Sequence, residues 1–278
     1  AGWATDKYKA IRELMQKSVK YAIPAIPERI PVIALPKISL TKTYDLFTMI
    51  KDDKFVESDT LLSFEDLNQG SGYVLYRRHF NQPIEGKMLV KGIADYALVY
   101  VNGEKVGELN RVFDKDSLEI NIPFNSTLDI LVENMGRINY GARITQNRKG
   151  ILGSVTIDGN DITGDWKMYK IPFDNVPNLA SKKEGYGKGL PVVYSGQFNV
   201  DKVGDTFLDM REWGKGIVFV NGINLGRYWK VGPQHTLYLP GCFLKKGNND
   251  IVIFEQQNDS RKTELQGITE PILRELRK

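Results

Sequence analysis

The residues best suited to acid–base chemistry are carboxylates, of which the sequence has 34, and the most suggestive pair is Glu133 and Glu255. Each of these glutamates is the last residue of an apolar run that begins with Asp-Ile. Glu133 ends the run of residues 129–133, and Glu255 ends the run of residues 250–255. Equivalent positions at the ends of two strands indicate a shared structural role, such as accepting hydrogen bonds, more than a catalytic one. We therefore expect this pair of glutamates not to be catalytic.

Metal and nucleophile chemistry has little support. His79 and His235 are the only histidines, and neither a Cys-x-x-Cys nor a His-x-x-x-His motif occurs. We expect His79 to be a half-buried strand residue and His235 to hydrogen-bond in a loop. Cys242 has no partner for a disulfide and is expected to be a small buried apolar group. Residues 214–216, Gly-Lys-Gly, lack the other residues of a phosphate-binding loop, so no metal and no cofactor is predicted.

The composition is that of an ordinary globular protein, with 41% hydrophobic and 26% charged residues and a net charge of +4. Since basic residues exceed acidic ones only slightly and never run to five in a row, we expect no nucleic-acid partner. Apolar stretches such as residues 217–220 and 251–254 are far shorter than a membrane span, so no membrane partner is expected. The first six residues lack the features of a signal peptide, which leaves the compartment open.

The first element that could position functional residues is an amphipathic helix near residue 6. Thr5 is placed to cap it, and apolar residues at spacings of three or four predict a helix over residues 6–21. Its apolar face consists of Tyr8, Ile11, Leu14, Met15 and Val19. Residues 23–36, the Pro-rich strap, carry a proline every three to five residues, which excludes helix and favours an extended spacer.

After residue 36, short runs rich in Val, Ile, Tyr and Phe recur between Gly, Asn and Asp, which is typical of antiparallel sandwiches. One pattern occurs twice, because residues 98–107 and 218–226 align at an offset of 119 and share Val-Asn-Gly and a following Gly. Asn-Gly between apolar strands predicts a type I′ hairpin. The strand order after each hairpin is typical of jelly-roll modules of the galactose-binding type.

We therefore predict an all-β fold of two galactose-binding-like jelly-roll β-sandwiches, preceded by one helix and the Pro-rich strap. The predicted domains are residues 1–36 for the helix and strap, 37–171 for the first sandwich and 172–278 for the second. Residues 37–60 are open to pairing with the second sandwich.

Specific strings within these sandwiches resemble the C-terminal part of β-galactosidases of glycoside hydrolase family 35. They are residues 130–141 (Ile-Leu-Val-Glu-Asn-Met-Gly-Arg-Ile-Asn-Tyr-Gly), 148–151 (Arg-Lys-Gly-Ile), 216–229 and 232–240. The resemblance covers nearly the whole chain.

The resemblance implies that a (β/α)8 barrel precedes these sandwiches in the parent protein and carries both catalytic glutamates. The chain alone is then expected to be inactive, with the parent's barrel and a β-galactoside glycan as its partners. Secretion or a periplasmic location is favoured for the parent. Without the barrel, the apolar helix face is expected to fray, dock on a sandwich or mediate self-association.

The same resemblance implies that a loop containing Arg137, Asn139 and Tyr140 lines the aglycone side of the galactose pocket, because an aromatic ring packs well on a sugar. The competing interpretation is a loop tyrosine packed on the sandwich edge. For Trp166, Trp213 and Trp229, core packing or burial against the barrel is favoured over a carbohydrate site of their own.

The leading hypothesis for function is a non-catalytic region that braces the barrel of an enzyme that hydrolyses terminal β-galactosyl residues, and lends a loop to its substrate pocket. The alternatives are a free-standing carbohydrate-binding module and a scaffold or dimerisation domain. The apolar-faced helix favours the first hypothesis, since a self-sufficient module has no use for it.

Overall fold

The computed structural model describes residues 3–180, 182–185, 187, 189–257 and 262–273. Up to residue 133 its helices and strands are α1 (Asp6–Ser18), β1 (Leu35–Asp45), α2 (Leu46–Ile50), β2 (Phe55–Ser58), β3 (Tyr73–Phe80), β4 (Ile84–Val90), β5 (Ile93–Ala94), β6 (Tyr96–Val101), β7 (Glu104–Asn110), β8 (Ser117–Ile122) and β9 (Ser126–Glu133). They continue with β10 (Gly150–Ile151), β11 (Val155–Ile157), β12 (Asn160–Asp161), β13 (Trp166–Ile171), β14 (Val192–Val200), β15 (Thr206–Asp209), β16 (Lys215–Val220), β17 (Ile223–Trp229), β18 (Thr236–Leu239), β19 (Gly247–Glu255) and β20 (Glu264–Ile268). The predicted all-β class is confirmed.

The first helix begins as predicted, because the Thr5 hydroxyl accepts a hydrogen bond from the Tyr8 amide at 3.2 Å. It ends at Ser18 rather than Tyr21, since the β-branched Val19 is already extended. The helix has no buried residue, and its apolar face lies open to solvent. No helix among the described residues is long and apolar enough to cross a membrane.

The chain forms two compact units. The first sandwich comprises residues 43–193 and the end of β19 from residue 254, as far as these are described. Its strands form a six-stranded sheet, β2-β13-β3-β9-β6-β7, and a four-stranded sheet, β12-β11-β4-β8, with β5 and β10 paired separately. Buried side chains from both larger sheets, such as Val99, Ile130, Met88 and Ile157, make one hydrophobic core.

The second sandwich comprises the described residues up to 42, residues 194–253 and those from 262 onward. Its strands form one eight-stranded sheet in the order β17-β16-β19-β14-β1-β20-β15-β18, whose end strands β17 and β18 approach each other. The Pro-rich strap joins this unit, because the Ile33 amide donates to the Asp205 carbonyl and the Asp205 amide donates to the Pro31 carbonyl.

The unit boundaries differ in detail from residues 37–171 and 172–278. α2 buries four apolar side chains, and the compact first sandwich runs on to residue 193. For residues 37–60 the sequence left open which sandwich they pair with. β1, which covers the first part of this segment, pairs with β20 of the second sandwich. β2, which lies in its last part, pairs with β13 of the first.

The sequence repeat is a structural repeat in register. Asn102-Gly103 and Asn221-Gly222 both have positive φ at both residues and join β6 to β7 and β16 to β17. Each hairpin also has a bulge at the same point, after Val99 and after Val218. The type I′ hairpin prediction is confirmed at both sites.

Candidate functional site

The candidate site is the loop of residues 134–149 between β9 and β10 in the first sandwich, called here the Tyr140 loop. Its entry is fixed by Asn134, whose side-chain amide donates to the Gly70 carbonyl at 2.9 Å. The Asn134 backbone amide donates to the Gly72 carbonyl at 3.0 Å, and the Asn134 side-chain oxygen accepts from the Gly136 amide at 2.9 Å. This Asx turn sets the direction in which the loop leaves the sheet.

A buried ion pair ties the two ends of the loop together. The Lys149 ammonium lies 2.7 and 2.9 Å from the two carboxylate oxygens of Asp95, and the two residues are only 2% and 7% exposed. The same carboxylate accepts the Met135 amide at 2.9 Å. Because a buried charge is stable only when paired and hydrogen-bonded, this arrangement holds the loop ends in one geometry.

Glu65 makes a second anchor. It accepts the Lys149 amide at 3.1 Å and pairs with the Arg137 guanidinium, which also donates to the Asn147 carbonyl at 3.0 Å. Burial raises the pKa of Glu65, but these hydrogen bonds outweigh burial and hold its pKa below the ordinary value. Glu65 is therefore a carboxylate at neutral pH, and Arg137 is engaged in fixing the loop.

Arg148 and Asp66 extend the network. The Arg148 guanidinium pairs with Asp66 and donates to the Ser63 hydroxyl at 2.6 Å. Hydrogen bonds from the Ser63 amide and hydroxyl, together with Arg148, lower the pKa of Asp66. The exit of the loop is thus fixed by charged groups of the segment 63–66.

Tyr140 stands at the outer part of this anchored loop. Its side chain is 91% exposed, which rules out packing on the sandwich edge, and Asn139 beside it is also exposed. The structure therefore gives the three sequence-predicted residues different positions. Arg137 is bound inward to Glu65, whereas Asn139 and Tyr140 face solvent.

The sequence analysis missed the groups that hold this loop. Asp95 also accepts a hydrogen bond from Arg111, at 3.2 Å, and so links the loop to the helical turn Arg111–Phe113. That turn presents Phe113, which is 75% exposed, as a second outward aromatic side chain. No spacing rule connects Asp95 with Lys149, so only the folded chain brings them together.

Other residues weighed for chemistry have structural surroundings. Glu133 and Glu255 are 1% and 2% exposed in the first sandwich, and Glu255 accepts the Gln257 amide at 2.9 Å. His79 is exposed rather than half-buried, because its ring bonds Thr127 and Asn125 on the outer face of the sheet. These positions give no open carboxylate pair.

Within the second sandwich, His235 is buried and its backbone bonds Met210 and Ile272, as expected of a loop hydrogen-bonding role. Cys242 is exposed, so its prediction as a buried apolar group is wrong. It lies in a short 3-10 turn, Gly241–Phe243, in which only Gly241 is buried.

Trp166 and Trp213 pack as core residues, as expected, whereas Trp229 is only partly buried. Trp166 is fully buried in the first sandwich, and its indole donates to the Ile162 carbonyl at 2.9 Å. Trp213 is 3% exposed and meets Tyr194 edge-on, with ring centroids 5.5 Å apart. Trp229 is half-buried beneath the Lys215 ammonium, 4.7 Å from the ring centroid.

Fold and loop together define an all-β protein of two jelly-roll-type sandwiches. A family model described as the β-galactosidase first all-β domain matches residues 62–172, and one described as the β-galactosidase galactose-binding domain matches residues 191–249. The chain belongs to the β-galactosidase family, glycoside hydrolase family 35, and comprises its all-β domains. The resemblance drawn from the sequence strings is confirmed.

Individual relatives agree. A β-galactosidase of Xanthomonas manihotis is 35% identical over 86% of this chain and 40% of its own length. β-Galactosidase 1 of Dictyostelium discoideum is 30% identical over 98% of this chain and 45% of its own length. The β-galactosidase of Bos taurus is 33% identical over 93% of this chain and 44% of its own length. The chain thus spans less than half the length of these relatives.

Proposed function

We propose that this chain is the non-catalytic sandwich region of an enzyme that hydrolyses terminal β-galactosyl residues, where it braces a catalytic barrel and lends the Tyr140 loop to the substrate pocket. The observation that carries the proposal is a 91% exposed aromatic side chain on a loop fixed at both ends. The relatives named above are β-galactosidases that extend well beyond the part this chain matches, which leaves room for a catalytic domain.

The bracing role is supported by α1. Tyr8, Ile11, Leu14 and Met15 are between 43% and 66% exposed, although they share one helix face. Contiguous exposed apolar side chains usually mark an interface, and the proposed occupant is the barrel of the same enzyme.

The pocket role follows from how the loop is held. A tyrosine in a sugar site places its ring face against sugar C–H groups and its hydroxyl within reach of a sugar hydroxyl. Such contacts are useful only if the side chain is positioned before substrate binds, since ordering a mobile loop would consume the binding free energy. The ion pairs at both ends of the Tyr140 loop provide that positioning. Asn139 lies with Tyr140 in the exposed part of the loop. Arg137 belongs to the ion pairs that anchor the loop.

The test uses an enzyme that carries this chain together with its catalytic domain. Tyr140→Ala should lower kcat/KM for a β-galactosyl disaccharide by about 1 to 2 kcal/mol of transition-state stabilisation, roughly 5- to 30-fold, because one aromatic contact is lost. Small aryl galactosides should change far less.

Phe124→Ala is the matched control, because Phe124 is 67% exposed on a turn of the same sandwich. It should leave both substrates unaffected. Equal losses on both substrates in Tyr140→Ala would show that Tyr140 acts only through the structure. In the same assays the isolated chain should give no turnover, and hydrolysis abolished by mutating one of its own acids would overturn the proposal.

A further inference from the structure

The helical turn Arg111–Phe113 in the first sandwich presents two apolar side chains to solvent. Val112 is 67% exposed and Phe113 is 75% exposed, although apolar side chains are more stable when they are buried. Single exposed apolar residues are common on proteins and carry no meaning by themselves. A role for Phe113 therefore depends on where the fold places its turn and on how firmly the turn is held.

The turn leaves the six-stranded sheet at the same end as the Tyr140 loop. Asn110 is the last residue of β7 and Glu133 is the last residue of β9. Both pair with Tyr96 of β6, the strand that lies between β7 and β9. Since neighbouring strands lie about 4.8 Å apart, the turn and the loop leave the sheet about 10 Å from each other.

The turn is held in one conformation by its own hydrogen bonds. The Asn110 side chain accepts the Val112 amide at 3.0 Å. The backbone groups of Asn110 and Lys115 exchange two hydrogen bonds, at 2.8 and 3.0 Å, and so close the turn around Phe113. A ligand that contacts this turn would not have to order it first, which preserves binding free energy.

Asp95 joins the turn to the Tyr140 loop. Its backbone carbonyl accepts the Arg111 amide at 3.0 Å, and its carboxylate accepts the Arg111 guanidinium at 3.2 Å. The same carboxylate accepts the Met135 amide at 2.9 Å, at the entry of the loop. One buried aspartate therefore fixes the two segments that carry the exposed aromatic rings of Phe113 and Tyr140.

The surroundings of Phe113 suit a sugar better than an apolar protein surface. Arg111, Asp114 and Lys115, its neighbours in the turn, are all exposed. A protein that covered Phe113 would have to remove some of these charges from water, which is costly. A sugar can lay its C–H groups on the aromatic ring and hydrogen-bond through its hydroxyls to the charged groups beside it.

We propose that Phe113 is a specificity-determining residue that packs against a sugar of the substrate beyond the sugar that Tyr140 contacts. The substrate class is then a β-galactosyl oligosaccharide of at least three sugars, because a separation of about 10 Å is more than one pyranose ring spans. This role rests on the proposed function, since it requires the glycan to lie along the Tyr140 loop.

The test measures kcat/KM of an enzyme that carries this chain together with its catalytic domain. The substrates are a β-galactosyl disaccharide and the trisaccharide that extends it by one sugar at the reducing end. The wild-type enzyme should prefer the trisaccharide about 5-fold, and Phe113→Ala should abolish this preference by lowering kcat/KM for the trisaccharide alone, because only the longer substrate reaches the ring. Phe113→Trp should keep the preference, because it retains an aromatic face.

Phe124→Ala is the matched control. Phe124 is 67% exposed on the turn at the opposite end of β8 from Phe113, so its loss should leave the preference for the trisaccharide unchanged. Tyr140→Ala tests the proposed function separately, because it should lower kcat/KM for both oligosaccharides.

Two results at Phe113 would overturn this role and leave the proposed function standing. One is a wild-type enzyme that cleaves the disaccharide and the trisaccharide equally well. The other is a preference for the trisaccharide that survives in Phe113→Ala, including the case in which both substrates lose activity equally. Unchanged activity of Tyr140→Ala on both oligosaccharides would instead overturn the proposed function, and the role of Phe113 with it.

Discussion

The two Asn-Gly hairpins allow a direct comparison of the two sandwiches. In the first, the Asn102 side chain accepts the Thr127 amide and donates to the Ser126 hydroxyl, both at 2.9 Å. In the second, the Asn221 side chain accepts the Asp250 amide at 3.0 Å and donates to Asn249 at 2.8 Å. Each asparagine thus joins its hairpin to the neighbouring strand, so the same local device stabilises both units.

The difference lies in what is added at the strand ends. The first sandwich adds the Tyr140 loop, held by the buried pair of Asp95 and Lys149. The second adds a bulge at Pro36 and Lys37, which opens a cleft around Asp209. A common scaffold therefore carries two different surfaces, and function has to be argued from those additions rather than from the fold.

The largest effect is expected from Lys149→Met in the first sandwich. This change removes the ammonium from the buried Asp95 carboxylate and leaves it only the more exposed Arg111 guanidinium, so the free energy of unfolding should fall by up to about 3 to 5 kcal/mol. Urea unfolding should report that loss, and hydrogen exchange at the Met135 amide should accelerate because Asp95 holds it.

Lys9→Met is the control, since Lys9 is exposed in its pair with Asp6 and should change nothing measurable. An equally small effect of Lys149→Met would mean that the Tyr140 loop is not held by its buried ion pair.

The next largest losses of stability are expected from Asn102→Ala and Asn221→Ala, which test whether the two hairpins are equivalent. Each places alanine at a φ near 50° and removes side-chain hydrogen bonds, for a cost of about 2 kcal/mol. Asn221 also donates to the Phe243 carbonyl at 2.8 Å, so its loss should cost about 1 kcal/mol more.

Asn→Gly at the same two positions separates the causes, because glycine tolerates the positive φ and loses only the hydrogen bonds. Chemical denaturation of all four variants provides the comparison. If only one of the two alanine variants were destabilised, the structural equivalence of the hairpins would not extend to their energetics.

Acid should produce a smaller effect in the first sandwich. The pKa values of Glu65 and Asp66 are lower in the fold, so the unfolded chain binds more protons near pH 4 and their stabilisation is lost as the pH falls below about 4.3. The pKa of Asp129 shifts in the opposite direction, because burial raises it despite the nearby Arg77. The ionisation of Asp129 therefore lowers the stability of the fold as the pH rises.

The contribution of Glu65 is isolated by comparing the wild-type chain with Glu65→Gln across this pH range. The variant should be less stable at neutral pH by less than about 1 kcal/mol, since the pair is partly exposed, and the difference should vanish in acid. A difference that persists unchanged in acid would mean that the charge of Glu65 does not hold the loop.

Much of the scaffold is predictable because its signals are local. The Asn-Gly dipeptides require positive φ, and Thr5 caps the helix through its own neighbours. β3 begins with Tyr-Val-Leu-Tyr, one of the short runs rich in Val and Tyr on which the prediction of strands rests.

The candidate site was only partly predictable, because its supports are distant in the sequence. Lys149 meets Asp95 across 54 residues and Glu65 across 84. Pairing at such separations is set by strand order and register, which a single sequence does not specify. The bulge in β1 was missed for a related reason, since Pro36 was assigned to the Pro-rich strap although it lies in a strand.

The smallest effect on stability is expected at Tyr140 itself. A side chain that is 91% exposed buries little area, so Tyr140→Ala should change the free energy of unfolding by less than about 0.5 kcal/mol. Tyr194→Ala is its counterpart in the core of the second sandwich, where loss of a fully buried aromatic ring should cost about 3 to 5 kcal/mol. Denaturation of both variants measures the contrast. A clear destabilisation by Tyr140→Ala would mean that Tyr140 serves the stability of the fold, and the proposed role at a substrate pocket would lose its main support.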